Sequence, residues 1–379
     1  MKRIRIVGQV RGFFKHLINA TNNSIVFSGT SATYEIASNK KNLIAKLLRT
    51  KLVGFWGIFK VNSTTNIDCD TDYYLSFNRF LNTDKPYFIY LENPTALCNY
   101  SLTCLESPFV KKKLRKCIMD DNLKKIICMS KACESTLEQV LGIQIPKEKV
   151  CQIYPYVPDN REITDEFLRN KSRESTLRLL YIAQGIRFKS KGGLEGIEAF
   201  RELKKNIDVS LTIITNIEQL EEQEKEICTQ LGISLIEFKL PYNELVKVYS
   251  KHHILLQPSS DDSFGLTVLE ALKSGLPIIA SNMYAFKEMV EDEKNGFLVE
   301  PAFYFFLQND LPNPKVWNRR ETTIYSGEIN KRLVQDMISS IKVLYSDREI
   351  LYAFSQESLR KSNSTFNNEI IINKWKSLV

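Results

Sequence analysis

The sequence lacks the features of several common protein classes. No stretch approaches the roughly 18 consecutive apolar residues that a membrane-spanning helix needs. Residues 1–7 are too short and too often interrupted by charge for a secretion signal, so we expect a cytoplasmic protein. Gly8 and Gly12 follow the first expected strand but do not form Gly-x-Gly-x-x-Gly, which excludes a dinucleotide-dependent dehydrogenase.

Metal-binding and disulfide patterns are also missing. The chain has three histidines and eight cysteines, with no Cys-x-x-Cys pair and no histidine at zinc spacing from a cysteine. We therefore expect reduced, mostly buried cysteines and no bound metal.

Positive charge is concentrated in the first half of the chain. Residues 1–150 contain 23 Lys/Arg and 12 Asp/Glu, a net charge of +11, whereas the remainder contains 29 and 32, a net charge of −3. This asymmetry predicts two halves with different partners.

The apolar pattern alternates between strand-like and helix-like segments, most regularly after residue 177. Such alternation predicts an α/β protein with parallel, doubly wound sheets, whose ligands bind at the carboxyl ends of the strands. Pro146, Pro155 and Pro158, followed by a charged stretch, indicate a boundary between domains. We expect a first domain over residues 1–165 and a second over 177–358.

The most informative segment spans residues 258–277. Its pattern predicts the end of a strand, a loop through Gly265 and a helix that begins near Leu266. Free backbone N–H groups and the positive end of the helix dipole favour a phosphate there. The binding candidates are therefore Ser263, Phe264, Gly265, Leu266 and Thr267. Glu270 lies one turn into the helix and leans back toward its start, where it can accept hydrogen bonds from a ribose. Asp262 can reach a second polyol.

This segment resembles the signature of the family-four retaining glycosyltransferases, which have the GT-B fold. Their two acids, separated by seven positions, correspond to Asp262 and Glu270. The resemblance implies two Rossmann-like domains that face each other across a cleft, with a C-terminal helix (residues 359–379, including Trp375) that crosses back to the first domain. It also implies that the first acid contacts the donor sugar and the second the ribose.

A second match to this family lies at residues 181–192. There the family uses an arginine and a lysine to bind the diphosphate of the donor, and these cations offset the negative charge that develops on the leaving group. Lys191 matches the lysine. Arg187 is a displaced match for the arginine, and Lys189 is the other basic residue that could pair with Lys191.

The sequence departs from the family pattern in two places. Tyr284-Ala285 replace a frequent glycine pair, so we expect that loop to run differently. The histidine that often follows the fourth strand is absent, and Glu92 is its candidate substitute, although an acid that caps a turn is a comparable interpretation. His16, His252 and His253 match no family position.

The resemblance implies a retaining, metal-independent hexosyltransferase. It would move a sugar from a nucleoside-diphosphate donor, with a UDP-sugar favoured, to a saccharide acceptor, expected to be lipid-linked, in O-antigen or capsule type polysaccharide biosynthesis. No cofactor is expected. The alternative within sugar transfer is a metal-dependent GT-A enzyme that uses Asp68 and Asp70.

A non-enzymatic alternative is a basic protein that binds membranes or nucleic acid. Residues 111–116 hold the densest cluster of positive charge, and residues 51–60 are an apolar stretch between two lysines. No nucleic-acid-binding module accompanies them, so we expect an anionic membrane surface rather than nucleic acid as the partner. This predicts a peripheral protein on the inner face of the cytoplasmic membrane.

Overall fold

The computed structural model describes residues 1–8, 12–20, 24–29, 61–63 and 70–379. The chain divides into two compact units. The first contains residues 1–157 together with 368–379, and the second contains residues 158–367.

The first unit contains eight described strands: β1 (Lys2–Val7), β2 (Ile25–Gly29), β3 (Val61–Ser63), β4 (Tyr73–Phe77), β5 (Phe80–Asn82), β6 (Tyr87–Leu91), β7 (Leu123–Cys128) and β8 (Val150–Gln152). Six of them form a parallel sheet in the order β2-β1-β4-β6-β7-β8, and β3 and β5 pair separately in parallel. The inner strand β6 is a continuous apolar and aromatic run whose five residues are all buried, as expected of a parallel strand that is covered on both faces.

Helices flank this sheet, and Ser101 and Ser130 provide side-chain caps at helix starts. Ser130 accepts a hydrogen bond from the backbone N–H of Cys133 (3.0 Å), and Gly142 ends the same helix in the left-handed conformation. The helices of the first unit are α1 (Gly12–Asn19), α2 (Leu102–Glu106), α3 (Pro108–Ile118), α4 (Lys131–Leu141) and, at the end of the chain, α14 (Asn368–Lys376).

The last helix, α14, packs within the first unit. Trp375 is 1% exposed, and its ring centroid lies 5.3 Å from that of Phe27 and 5.7 Å from that of Tyr90. Lys374 also donates to the backbone carbonyl of Gln152 (3.2 Å). The expected return of the C-terminal helix to the first domain is therefore seen.

The second unit contains a second parallel six-stranded sheet, made of β9 (Leu177–Ile182), β10 (Val209–Thr215), β11 (Ser234–Glu237), β12 (Ile254–Gln257), β13 (Ile278–Ser281) and β14 (Gly296–Val299). The strands lie in the order β11-β10-β9-β12-β13-β14. The order reverses beside β9, so the carboxyl ends of β9 and β12 lie at the switch point where such sheets bind ligands.

The helices of the second unit cover this sheet and bury one continuous apolar core. Leu333, Met337 and Ile341, at helical spacing, are no more than 1% exposed in that core. The helices are α5 (Asp165–Ser172), α6 (Gly193–Leu203), α7 (Glu222–Gln230), α8 (Tyr242–Lys251), α9 (Leu266–Lys273), α10 (Phe286–Met289), α11 (Pro314–Trp317), α12 (Lys331–Ser346) and α13 (Arg348–Thr365).

The unit boundaries differ from the expected domain boundaries at both ends of the second unit. Residues 158–165 were expected in the first domain, but Asp159 pairs with Lys273 and Asn160 donates to Ser250 (3.0 Å), so they belong to the second unit. Residues 359–367 were expected to leave with the C-terminal helix. Residues 359–365 instead complete α13, and residues 366–367 follow it. The helix is held in the second unit by Ser358, which donates to the Leu276 carbonyl (2.8 Å), and by Lys361, which pairs with Glu291.

Some sequence predictions fall outside the described residues. These are the contribution of Asp68 to a GT-A metal site and the membrane contact of residues 51–60. Within the described part of the chain, no helix is long and apolar enough to span a membrane.

Candidate functional site

The loop between β12 and α9 has the conformation that the sequence predicts for an anion site. Gly265 caps α9 with φ = +85°, a left-handed value, and a β-carbon there would collide with the ring of Phe286. Among the described residues, no side chain caps this helix, and the N–H groups of Leu266 and Thr267 have no hydrogen-bond partner. They lie at the positive end of the helix dipole.

Glu270 follows one turn into α9 and is half-buried. Its Oε2 accepts a hydrogen bond of 2.8 Å from the hydroxyl of Tyr249 on α8. Burial raises the pKa of Glu270 to about 7, although the hydrogen bond from Tyr249 acts in the opposite direction. Thr267, on the same turn, is positioned by a bond from its hydroxyl to Gln257 (3.1 Å).

A basic loop after β9 meets the acidic loop after β12. Lys191 Nζ lies 2.6 Å from Asp262 Oδ2 and 2.8 Å from the backbone oxygen of Asp261. Close packing of the two loops brings them together, because Gly192 (φ = +76°) lies directly against Pro258 and the N–H of Ser260 donates to Ser190 (2.9 Å).

Arg187 shares an acidic partner with Lys191. Its guanidinium forms an ion pair with the carboxylate of Asp261 and donates to the Asp261 backbone oxygen at 3.1 Å. Lys189 points to Glu221 instead, at 2.5 Å. Of the two basic residues that could pair with Lys191, Arg187 is therefore the one beside it.

Charge on Asp262 and Arg187 is stabilised by this arrangement. Burial alone would raise the pKa of Asp262, but Lys191 and Arg187 outweigh it and hold the pKa below its ordinary value. Burial alone would lower the pKa of Arg187, and Asp261 reverses that effect and raises it. The two loops therefore hold two cations and two anions, and Asp262, which Lys191 contacts, lies three residues before Gly265, the cap of α9.

The middle of the acidic loop is shaped by Ser263 and Phe264. The N–H of Phe264 donates to Asp262 Oδ1 (3.3 Å), which closes a tight turn before Gly265. Phe264 is buried and Ser263 is half-buried, so the phenyl ring anchors the turn in the core. Ser263 and Phe264 thus lie on the same loop as Gly265, and Leu266, Thr267 and Glu270 follow in the first five residues of α9, whereas Arg187 and Lys191 lie on the loop after β9.

Glu92 lies in the other unit, directly after β6. Its carboxylate accepts from the hydroxyl of Tyr100, and its backbone N–H donates to Asn78 Oδ1 (3.0 Å). Asn78, Asn99 and Tyr100 all have left-handed backbone conformations, with φ of 59°, 53° and 59°. Strained backbone of this kind is frequent at functional sites. The adjacent Asn93 caps the turn Pro94–Cys98, so the capping role considered for Glu92 belongs to its neighbour.

Asp70, the described acid of the GT-A alternative, and the neighbouring Asp72 contact the first strand. Asp70 lies 3.1 Å from the guanidinium of Arg3, and Asp72 accepts from the Arg3 backbone N–H (2.8 Å). In the described ranges, no three His, Cys, Asp or Glu side chains are grouped to hold a metal ion.

Two contacts of the site involve residues that sequence reasoning did not single out. Asp261 is 3% exposed and joins both cations, and Tyr249 contacts Glu270 from a different helix. The sequence does offer a signal for Asp261, because it directly precedes Asp262 in the motif. No local signal marks Tyr249, because its contact spans 21 positions of sequence.

The loop that lacks the glycine pair keeps a glycine-like conformation. Tyr284 has φ = 47° and is 1% exposed, and its ring stacks on Phe306 with centroids 4.0 Å apart. Aromatic stacking thus stabilises a backbone conformation that is unfavourable for a residue with a β-carbon.

Comparison with known proteins agrees with this geometry. Residues 164–303 match the family model of the glycosyl transferases group 1. Over 139 residues the chain is 40% identical to the GtfA subunit of the UDP-N-acetylglucosamine–peptide N-acetylglucosaminyltransferase of Streptococcus pneumoniae, covering 36% of this chain and 22% of that protein. Over 104 residues it is 32% identical to an uncharacterized 41.2 kDa protein in the cps region of Klebsiella pneumoniae, covering 27% of this chain and 29% of that one. Each match spans less than a third of the relative's length.

The whole chain superimposes on a solved structure. The Anabaena protein HepE, crystallised in complex with UDP and glucose, matches with a TM-score of 0.58 and 15% sequence identity, and all of both chains is covered. This similarity, with the two parallel sheets, shows that the fold is GT-B, as the resemblance implied.

Proposed function

We propose that this chain, whose residues 164–303 belong to the glycosyl transferases group 1 family, transfers a sugar from a nucleoside-diphosphate donor to a saccharide acceptor. One observation carries the proposal most directly. Arg187 and Lys191 are held against the loop that leads into the uncapped start of α9, and Glu270 lies one turn into that helix. The positive charge and free N–H groups suit a diphosphate leaving group, and the carboxylate of Glu270 suits the hydroxyl groups of a ribose.

Each site residue has a defined part in this proposal. Glu270 accepts hydrogen bonds from the ribose, and Asp262 orients the donor sugar. Lys191 and Arg187, with the backbone of residues 265–267, stabilise the charge on the departing diphosphate. Glu92 faces the acceptor in the first unit. The reaction proceeds without a metal, because the two cations neutralise the leaving group.

The finer features of the proposed reaction are supported by similarity. Retention at the anomeric carbon follows from the family-four signature. A UDP-sugar donor is favoured because HepE was crystallised with UDP and glucose and because the Streptococcus pneumoniae relative is named for a UDP-sugar. A role in capsule or O-antigen type synthesis is favoured because one relative is named for the cps region of Klebsiella pneumoniae. The proposed acceptor for that role is a lipid-linked saccharide.

We also propose that α3 brings the first unit to an anionic membrane surface. Its exposed side chains include Lys112, Arg115 and Lys116, and large apolar residues flank them, with Phe109 59% exposed and Met119 54% exposed. Basic residues beside exposed apolar side chains favour the interface of an anionic bilayer. This proposal agrees with a lipid-linked acceptor.

The central test is nucleotide binding in the presence of a chelator. UDP-, GDP- and ADP-sugars are screened by thermal shift and by hydrolysis, with EDTA present throughout. We expect the nucleotide sugars of one base to raise the melting temperature of the protein. We expect Glu270→Ala to weaken binding of that nucleotide about tenfold or more, because hydrogen bonds to a charged group are lost.

Several outcomes would overturn the proposal. The site assignment is wrong if no nucleotide stabilises the protein, or if Glu270→Ala binds as well as the parent. Activity that disappears in EDTA and returns with a divalent ion would favour the GT-A alternative. Inverted product, detected by NMR of the anomeric proton, would contradict retention.

A further inference from the structure

The contact between Tyr249 and Glu270 has no counterpart in the sequence motif. Tyr249 is completely buried in the last turn of α8. Its hydroxyl has two acceptors within reach among the described residues, Glu270 Oε2 at 2.8 Å and the backbone oxygen of Thr267 at 3.4 Å. The shorter contact, to the ionisable group, is the stronger one.

Resting on the proposed function, we infer that Tyr249 is a positioning residue that fixes the Glu270 carboxylate, so that its second oxygen is presented to the ribose hydroxyls of the donor. A glutamate side chain has three rotatable bonds, and without a partner its carboxylate would sample many orientations. The bond to Tyr249 occupies Oε2. In the described structure, Oε1 has no hydrogen-bond partner and is not enclosed, so it is the oxygen left for a ligand.

The environment of Glu270 makes this hydrogen bond consequential. Burial disfavours the ionised carboxylate, and the Tyr249 hydroxyl is the one described group that counteracts burial. The other titratable group that acts on the pair is Tyr242, also on α8. No cation on the elements around α9 contributes among the described residues. Ionised Glu270 accepts hydrogen bonds from a diol better than the protonated acid does.

A purely structural interpretation of Tyr249 is that its ring fills the core and its hydroxyl is merely satisfied there. That interpretation predicts that removing the hydroxyl alters stability but leaves ribose recognition unchanged. The positioning role predicts a change in ribose recognition and in its pH dependence. The two interpretations therefore differ in a measurement that is independent of stability.

The experiment compares Tyr249→Phe, Glu270→Gln and the double variant. Dissociation constants for UDP and for 2′-deoxy-UDP are measured by calorimetry from pH 5.5 to 8.5, with GDP or ADP and their deoxy forms replacing them if the screen selects another base. Tyr352→Phe is the matched control, because it removes a hydroxyl that donates to another carboxylate of the same unit, Asp165 (2.6 Å).

We expect Tyr249→Phe to weaken UDP binding about tenfold at pH 7 and to lose most of the preference for UDP over 2′-deoxy-UDP. The pH midpoint of UDP binding should rise by about one unit, because the ionised carboxylate loses its donor. Titration of the nucleotide's own phosphate is common to all variants and cancels in the comparison. Glu270→Gln should abolish this pH dependence, and the double variant should be no weaker than Glu270→Gln alone.

The outcomes separate the inference from the proposed function. If Tyr249→Phe keeps the parent's ribose preference and pH midpoint while Glu270→Gln loses both, the positioning role is refuted and the ribose role of Glu270 stands. If Glu270→Gln also behaves as the parent, the ribose assignment itself fails. Should Tyr249→Phe not fold, Glu270→Asp, which withdraws the carboxylate from Tyr249, must lose the ribose preference for the inference to survive.

Discussion

Asp261 is the residue through which the two cations of the site are connected. Its side chain is 2% exposed, and it carries an ion pair to Arg187 and a longer contact of 3.7 Å to Lys191. Buried charge is costly unless it is paired. Asp261 therefore holds Arg187 and Lys191 close together and oriented, because its negative charge offsets the repulsion between the two cations.

We predict that Asp261→Asn lowers the free energy of unfolding of the second unit by about 2 kcal/mol. This is below the roughly 3–5 kcal/mol typical of a broken buried pair, because the Arg187 side chain is 40% exposed to water. Pyrophosphate should restore more stability to the variant than to the parent, because it supplies the missing negative charge. Thermal denaturation with and without pyrophosphate measures both effects.

A surface pair of the same unit provides the control for this variant. Glu202 pairs with Lys205 at 2.6 Å, and both side chains are well exposed, so Glu202→Gln should change the unfolding free energy by less than about 0.5 kcal/mol. Equal responses of Asp261→Asn and the parent to pyrophosphate would argue against a phosphate site at these cations.

At the scale of elements, α3 shows how one helix can face both the core and a surface. Val110, Leu114 and Ile118 repeat every four residues and are buried, no more than 1% exposed. The intervening positions carry the exposed basic residues. This amphipathic pattern holds α3 in the first unit while it leaves a charged face in solution.

We predict that Lys112→Gln combined with Lys116→Gln weakens binding to vesicles that contain anionic lipid by about 30-fold, since each lysine near such a surface contributes about 1 kcal/mol. Co-sedimentation at increasing salt measures the effect. The control is Lys331→Gln with Lys342→Gln, the same charge change on exposed positions of α12. An equal loss of vesicle binding in the two double variants would indicate a response to net charge alone. Stronger binding of the parent protein to DNA than to vesicles would favour the nucleic-acid alternative.

At the scale of the whole molecule, acid should destabilise the protein through two neighbouring histidines of the second unit. His252 bonds to Thr212 (2.8 Å), and His253 bonds to the Arg178 N–H (3.0 Å) and to the Lys171 carbonyl (2.9 Å). Burial lowers the pKa of His252 to about 4 and that of His253 to about 3. Both side chains are therefore neutral in the folded state at pH values where they are charged in the unfolded chain.

The unfolded chain binds protons first as the pH falls, because an unperturbed histidine has a pKa of about 6.5. We therefore predict that the stability contributed by these two histidines is fully present above about pH 7.5 and is lost progressively below it, roughly 4 kcal/mol by pH 5, until the folded-state pKa values are reached. Glu195 opposes part of this loss, because burial raises its pKa. Urea denaturation at pH 7.5, 6 and 5 measures the trend, and a stability that is constant across this range would contradict it.

The sequence alone determined the features that depend on local order. Strand-helix alternation predicted parallel sheets, and the spacing from Asp262 through Gly265 to Glu270 predicted a loop and helix start. Both are seen. These predictions succeed because a buried parallel strand and a left-handed glycine before a helix each leave a signature within a few residues.

Only the tertiary structure decided which distant residues meet. Arg187 and Asp261 are 74 positions apart, and the choice of Arg187 over Lys189 depends on how two loops pack around Gly192. The assignment of residues 359–367 to the second unit likewise depends on contacts of Ser358 and Lys361 that no periodicity encodes. Such contacts depend on how whole helices, strands and loops pack together, so they can be identified only after the tertiary structure is known.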